Sequence, residues 1–252
     1  MARLEVSGVE VRFGGAAALR GVDLTVEAST VTGLIGPTGA WKTTTLNVIT
    51  GVQKAKAGQV LLDDEPVGHL PAHRRARLGI ARTFQRFEAF GSLTVRENIL
   101  VAAEIRRRWA RDSSNPGRVA DDVVRQIGMR ELSRVRCDTL PTGMGRLVEV
   151  GRALATQPKI LLLDEPSSGL DGQETDKLGA LLGRLADDGM AILLVEHDVE
   201  LAMSACRTVY VLDLGQIVAA GAPAELQSDP TVQVVYRTAR ADPDAKAAGA
   251  LV

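Results

Sequence analysis

The sequence predicts an α/β fold in which a parallel sheet carries an antiparallel β part at one end of the chain and a helical insertion in its middle. Three observations lead there. Residues 31–35 form a short, mostly apolar run ending at Gly36, the pattern of a buried parallel strand that feeds a tight turn. The apolar runs at 160–163 and 191–195 flank a helix-like stretch, as a βαβ unit requires. Between residues 87 and 155 strand-like runs vanish and helical periodicity takes over.

Taken in order, Val9 and Val11, then Val22, Leu24 and Val26, alternate with polar residues around Gly14-Gly15, which predicts antiparallel strands with one wet face. After 31–35 a helix is expected from Lys42 to about Thr50, and 59–62 returns to strand character after Gly58, with Asp63-Asp64 as a turn. Thr94 and Glu97 make a Ser/Thr-x-x-Glu cap for a helix with Val95, Ile99, Leu100 and Ala103 on one face. Arg106, Arg107, Arg108 and Arg111 read as a solvated face, and Ser113-Ser114-Asn115-Pro116-Gly117 as an exposed loop. Strand 159–165, helix 174–186 and strand 191–196 follow, then a hairpin of 209–212 and 216–219 around Leu214-Gly215. Weak apolar patterning after Ala239 predicts a mobile tail. The expected organisation is therefore 1–86 as the first part of the sheet domain with its antiparallel strands, 87–155 as the helical subdomain, 156–238 as the second part of the sheet domain, and 239–252 as the tail.

Composition narrows the function. With 45% hydrophobic and 24% charged residues, the 252-residue chain can bury a sizeable core. Its 30 basic and 31 acidic residues nearly cancel, so no bulk charge draws it to nucleic acid or to an anionic membrane surface. The apolar runs fall far short of the roughly 20 residues that cross a bilayer, and Met1-Ala2-Arg3-Leu4 lacks the apolar core of a signal peptide, so the expected compartment is the cytosol. Cys137 and Cys206 stand far apart and read as reduced structural thiols; His69, His73 and His197 show no zinc spacing, so a metal is expected to arrive with a ligand.

The chemistry concentrates where strands end. A phosphate-binding loop needs a strand that stops sharply, backbone N–H groups turned inwards, and a lysine opening the next helix. Gly36-Pro37-Thr38-Gly39-Ala40-Trp41-Lys42-Thr43-Thr44 supplies most of this: Gly36 for the turn, Gly39 for close backbone approach, Lys42 for the β- and γ-phosphates, and the Thr43 hydroxyl for Mg²⁺. Trp41, however, stands where glycine is expected before the lysine. At the end of the strand 160–164, Asp164 would organise Mg²⁺ and Glu165 would polarise an attacking water. His197 follows the strand 191–196 and would donate to a γ-phosphate. Each group alone has a structural reading, since apolar strands often end in Asp-Glu and a single histidine is often solvated. Three strand ends that all carry phosphate-competent groups make coincidence a poor account.

With these in sequence order, the chain resembles an ABC-transporter ATPase over almost its whole length. The resemblance implies a P-loop NTPase-like ABC ATPase core with an antiparallel β subdomain and a helical subdomain. It matches Phe13 to an adenine-stacking aromatic, Gln85 in Arg82-Thr83-Phe84-Gln85 to a glutamine that also reaches Mg²⁺, and Ser167-Ser168-Gly169-Leu170-Asp171 to the segment after the catalytic carboxylate. Leu140-Pro141-Thr142-Gly143-Met144 stands where the family carries Leu-Ser-Gly-Gly-Gln, followed by Arg146, Glu149, Arg152 and Ala153 in the family's pattern. Arg12-Phe13-Gly14-Gly15, Leu93-Thr94-Val95-Arg96-Glu97-Asn98 and Asp229-Pro230-Thr231-Val232 resemble the importers of branched-chain amino acids, with urea or amide importers and the lipopolysaccharide-export ATPase sharing much of the pattern.

The same resemblance implies two copies, or this chain and a related one, paired head to tail around two ATP molecules. They would drive membrane-spanning permease subunits, serve a substrate-binding protein indirectly, and lie on the inner face of the membrane. Each site would combine Lys42, Thr43, Gln85, Asp164, Glu165 and His197 of one subunit with the segment around Gly143, including Thr142, from the other, and Asp171 is a further expected nucleotide-site residue. Two departures bear on activity. Pro141 has neither hydroxyl nor N–H to donate, and Trp41 puts an indole where backbone passes against phosphate, which predicts weakened ATP binding. The opposed expectation is a solvent-facing indole on an active loop; a third is a non-hydrolysing partner of an intact ATPase.

Overall fold

The computed structural model describes residues 2–85, 88–111 and 113–241. Strands β1 (Leu4–Phe13) and β2 (Ala16–Val26) form a hairpin, and β3 (Thr30–Ile35) leads through the glycine loop into helix α1 (Lys42–Thr50). There follow β4 (Ala57–Leu62), β5 (Glu65–Pro66), α2 (Ala72–Arg77) and β6 (Ile80–Arg82), then the helices α3 (Val95–Ala110), α4 (Pro116–Gln126) and α5 (Thr142–Ala155). The chain returns through β7 (Ile160–Asp164), α6 (Gly172–Asp187), β8 (Ala191–Glu196), α7 (Val199–Ala205), β9 (Thr208–Asp213), β10 (Gln216–Gly221), α8 (Pro223–Gln227) and α9 (Pro230–Ala241).

Two sheets result. The antiparallel one runs β2-β1-β4-β5, and the larger runs β10-β9-β3-β8-β7-β6 with only β10 antiparallel. The apolar runs that predicted β7 and β8 have a direct cause. Along β7, Leu161 and Leu163 point into a core shared with α5 and α6, while Ile160 and Leu162 point into a second core shared with α1 and the antiparallel sheet. Both faces are covered, so neither strand has a polar alternation. Parallel pairing then aligns the strand ends: Ile35 is opposite Glu196, and Asp164 is opposite Val195.

Several expectations meet their physical basis. Thr94 accepts from the Glu97 N–H while the Glu97 carboxylate accepts from the Thr94 N–H, the reciprocal cap expected for α3. The Asp63-Asp64 turn holds both residues at positive φ, 52° and 65°. One expectation needs correction: Pro116 and Gly117 are not loop but the first turn of α4, because Asn115 caps the Arg118 N–H and proline at the first helical position forfeits no hydrogen bond. Residues 239–241 belong to α9, and the rest of the expected tail lies outside the described residues. The edge strand β6 and helix α2 are too short to leave a periodic signal.

Helix α1, which begins at Lys42, is tied down at its far end by a buried arginine. Arg75 donates to the carbonyls of Val48 (2.7 Å) and Ile49 (2.9 Å) in the last turn of α1, and to those of Leu70 and Gly68, both at 2.9 Å. A cation at the carbonyl end of a helix satisfies orphan acceptors and opposes the helix dipole. Replacing Arg75 with alanine strands those carbonyls and is expected to lower unfolding free energy by about 2–3 kcal/mol in urea titration. Burial also pushes the Cys206 thiol up to about 12 from 9.0. The folded chain therefore binds that proton more tightly, and its contribution to stability is complete below the ordinary thiol range and is lost as pH rises towards about 12. In the native protein at pH 8 Cys206 is expected to resist iodoacetamide, and to react once urea unfolds the chain; mass spectrometry reads both states.

Candidate functional site

The site lies at the aligned ends of β3, β7 and β8. Gly36 follows the last residue of β3, where a Cβ would lie 2.1 Å from the Leu212 carbonyl oxygen, so close packing against β9 as much as the turn demands glycine there. Gly39 has φ 80°, and Trp41 has φ 75° and ψ 26° as the residue preceding α1. No side chain caps that helix, which leaves its first N–H groups facing the loop. Lys42 is buried, and its Nζ donates to the carbonyls of Gly36 (2.7 Å) and Pro37 (3.2 Å). Burial lowers the lysine's affinity for its proton, while the carboxylates of Glu165, Asp164 and Glu196 pull in the opposite direction.

Asp164 is the anchor of the opposite wall. Its Oδ2 accepts from Arg82 Nη2 at 3.0 Å in an ion pair whose partners are almost fully buried, its N–H donates to Thr83 Oγ1 at 3.1 Å, and Thr43 Oγ1 stands 3.5 Å from Oδ1. Arg82 reaches Asn47 of α1 as well, at 2.6 Å, so one guanidinium joins β6, β7 and α1. Burial raises the Asp164 carboxyl above its ordinary range, and Arg82 pulls it back. The next residue, Glu165, has φ 51°; its Oε2 accepts from Gln85 Nε2 at 3.2 Å and lies 3.7 Å from Nδ1 of His197. A cleft lined by Thr38, Lys42, Thr43, Gln85, Glu165 and His197 opens between these groups, with Gly39, Ala40, Trp41 and Thr44 completing the loop side.

Other expected residues lie elsewhere. Phe13 is reached by Trp41, whose indole stacks on it with ring centroids 5.8 Å apart and planes at 30°. Trp41 also lines a second cavity, beside Arg12, Gly15 and Arg20. Left-handed backbone costs a residue with a Cβ about 1–2 kcal/mol, and an aromatic stack of this geometry returns about 0.5–1.5 kcal/mol. The two are of similar size, which explains how the loop keeps its path with tryptophan in place. Thr142 and Gly143 open α5 and pack on Gly169 and Leu170 of their own chain; a Cβ on Gly143 would come within 2.6 Å of the Gly169 carbonyl. Asp171 caps α6 by accepting the Glu174 N–H at 2.8 Å.

Three important residues carry no legible role in the sequence. Arg82 stands out there only as a neighbour of Gln85, Asn47 not at all, and Glu196 only as the residue before His197. Their partners sit 82, 35 and 29 positions away, so no local pattern could have paired them. Arg146 is a fourth: it donates to the main-chain oxygens of Phe84 and Gln85 and pairs with Glu149 at 3.1 Å, while Glu149 accepts the Glu88 N–H at 2.6 Å and Arg152 donates to the Glu88 carbonyl at 2.6 Å. Helix α5 thus holds the backbone on both sides of the segment that bears Gln85.

Comparison with known proteins gives a consistent picture. The sequence pattern of the family described as ABC transporter matches residues 19–168. The high-affinity branched-chain amino acid transport ATP-binding protein BraF of Pseudomonas aeruginosa is 37% identical over 246 residues, covering 92% of this chain and 96% of that protein. Its counterpart LivG of Escherichia coli is 36% identical with the same coverage, and the lipopolysaccharide export system ATP-binding protein LptB of Escherichia coli is 32% identical over 94% of this chain and 97% of its own. A nucleotide-free ATP-binding cassette from an ABC transporter superimposes with a TM-score of 0.84 at 29% identity, covering 94% of this chain and 99% of that one.

The Arg82–Asp164 pair sets the wall of the cleft, and its loss has a defined cost. Arg82→Ala leaves a carboxylate buried without its partner and is expected to destabilise the fold by about 3–5 kcal/mol. Adding Asp164→Asn removes the stranded charge and is expected to restore part of that loss; a double-mutant cycle in denaturant measures the coupling.

Proposed function

This chain belongs to the ABC transporter family, whose ATPases couple ATP hydrolysis to transport, and on that premise we propose that it is the ATP-binding subunit of an importer of branched-chain or other hydrophobic amino acids. The observation that carries the nucleotide assignment is the convergence of Lys42, Thr43, Asp164, Glu165, Gln85 and His197 on one cleft. Higher identity to the two branched-chain amino-acid relatives than to the lipopolysaccharide-export relative favours the importer branch.

In this reading Lys42 exchanges the Gly36 and Pro37 carbonyls for the β- and γ-phosphates of ATP, and the first N–H groups of α1 complete the cradle. Among the described residues no group of three or more His, Cys, Asp or Glu side chains is arranged to hold a metal. The Thr43 hydroxyl, one Asp164 oxygen and the Gln85 amide oxygen are hard oxygen donors of the kind Mg²⁺ takes alongside nucleotide phosphates, and would hold it there. Bound there, Mg²⁺ would neutralise phosphate charge. Glu165 orients and deprotonates the attacking water, and His197 donates to the γ-phosphate.

Completion requires a second subunit, identical or related. Its Thr142, Gly143 and Asp171 face the first subunit's γ-phosphate, with the uncapped N–H groups of α5 taking over from the donors that Pro141 lacks. The core parts 1–86 and 156–238 move together and the helical subdomain 87–155 follows through the hold of Arg146 and Arg152 on the Gln85 segment. Membrane-spanning permease subunits anchor the chain at the inner face; no helix of the described residues is itself long and apolar enough to cross a membrane. They dock in the groove of about 450 Å³ beside Gln85, where Val52, Ala76, Phe84, Ile105 and Trp109 present apolar surface. A substrate-binding protein acts on the permease from the other side.

Trp41 weakens this site. Its indole stacks on the ring of Phe13, the platform for adenine, and Trp41 lines both the phosphate cleft and the cavity beside Arg12 and Arg20. A second reading follows from the same stack: a non-hydrolysing partner that pairs with an intact ATPase. Calorimetry on the purified chain decides between them. Trp41→Gly is expected to tighten MgATP binding at least about tenfold, the equivalent of 1.4 kcal/mol, and equal affinities would remove the proposed impairment. In the Trp41→Gly background, Glu165→Gln is expected to keep ATP binding and to slow phosphate release by about 10²–10⁴-fold. Failure of Trp41→Gly to hydrolyse ATP at all would favour the non-hydrolysing partner.

A further inference from the structure

Glu196 closes β8 with its side chain fully buried. Its Oε1 accepts the Ser167 N–H at 3.0 Å. Its Oε2 is equally buried and has no hydrogen-bond partner among the described residues. A buried acceptor in that state favours any donor that can reach it. The neighbouring nitrogen is Nδ1 of His197, 3.9 Å away, and a shift of about 1 Å brings it to hydrogen-bond distance.

We propose that Glu196 is the positioning residue that holds the proton of His197 on Nδ1. Two carboxylate oxygens face that nitrogen, Glu196 Oε2 and Glu165 Oε2 at 3.7 Å, and a lone pair on Nδ1 would meet lone pairs from both. The two carboxylates are not equivalent. Glu165 Oε2 already accepts from Gln85 and is partly exposed to water, whereas Glu196 Oε2 has neither partner nor solvent. The buried oxygen therefore gains more from the imidazole N–H. Burial raises the Glu196 carboxyl, and the Ser167 hydrogen bond together with the nearby His197 pulls it back towards the ionised form.

The consequence for the site is a division of labour between adjacent strand ends. With Glu196 orienting the imidazole, Glu165 keeps its oxygens for Gln85 and for water. The inference rests on the reading above only in giving His197 a phosphate to face: with the Nδ1 proton turned to Glu196, the ring donates from Nε2 to that phosphate in its imidazolium form. The position of the Nδ1 proton stands on the geometry.

The test uses the nucleotide-free, full-length chain labelled with ¹⁵N-histidine, at a pH about two units above the ordinary histidine range so that the rings are neutral. The chain has three histidines, His69, His73 and His197, and His197→Asn identifies the third resonance pair. The expected result is a His197 ring protonated on Nδ1 in the unaltered chain and in Glu165→Gln, with Glu196→Gln shifting the tautomer ratio towards Nε2 at least threefold. An unchanged ratio in Glu196→Gln overturns the proposal, because a protonated Glu196 and a glutamine would donate to Nδ1 alike. A shift caused by Glu165→Gln alone overturns it too, by assigning the orienting role to Glu165. The His69 and His73 resonances report the fold; if Glu196→Gln disturbs them, Glu165→Gln decides by itself. No nucleotide is present, so weak ATP binding has no bearing on the tautomer ratio, and a failed tautomer test leaves the ATP site standing.

Discussion

Parallel pairing of β3, β8 and β7 is the constraint on which the site depends. Parallel strands in one register end at one edge of the sheet, and their helices leave from that edge, so residues far apart in sequence are delivered to one place. Gly36, Glu165 and His197 follow the last residues of those strands. The apolar faces buried in the two cores hold the register, because a slip of one residue would turn Leu161, Leu163 and Leu194 out of one core and into the other.

Polar contacts refine what the hydrophobic layers position. Arg82 ties Asp164 to Asn47, so the carboxylate wall and the lysine helix share one buried cation. Arg75 fixes the far end of that helix, and Arg146 with Glu149 and Arg152 grips the backbone around Gln85. These arginines donate mostly to main-chain carbonyls or to single carboxylates. A planar guanidinium always carries its charge and offers several donors in fixed directions, which suits it to joining three elements at once.

Trp41 shows how such a framework tolerates a departure. Its left-handed backbone is what the loop's path requires of whichever residue precedes Lys42, and glycine would adopt it without strain. The stack on Phe13 offsets much of the cost, and the geometry of Lys42, Asp164 and Glu165 survives around it. The same contact places the indole against one face of Phe13.

Much of this protein was legible in its residues alone. Apolar runs fixed the buried strands because both faces of a covered parallel sheet exclude polar side chains, and Thr94-x-x-Glu97 marked a helix start because capping is local chemistry. Family membership followed from motifs in order, since phosphate chemistry needs particular groups at strand ends. Short elements such as β6 and α2 were not legible, for they hold too few residues to show a period, and Pro116 read as a breaker although a helix accepts proline in its first turn. What only the tertiary structure decided was pairing across the chain: Arg82 with Asp164, Arg75 with the end of α1, Glu196 beside His197, and the indole of Trp41 over Phe13. Sequence determines which side chains have the chemistry to interact, but burial and parallel register determine which of them meet.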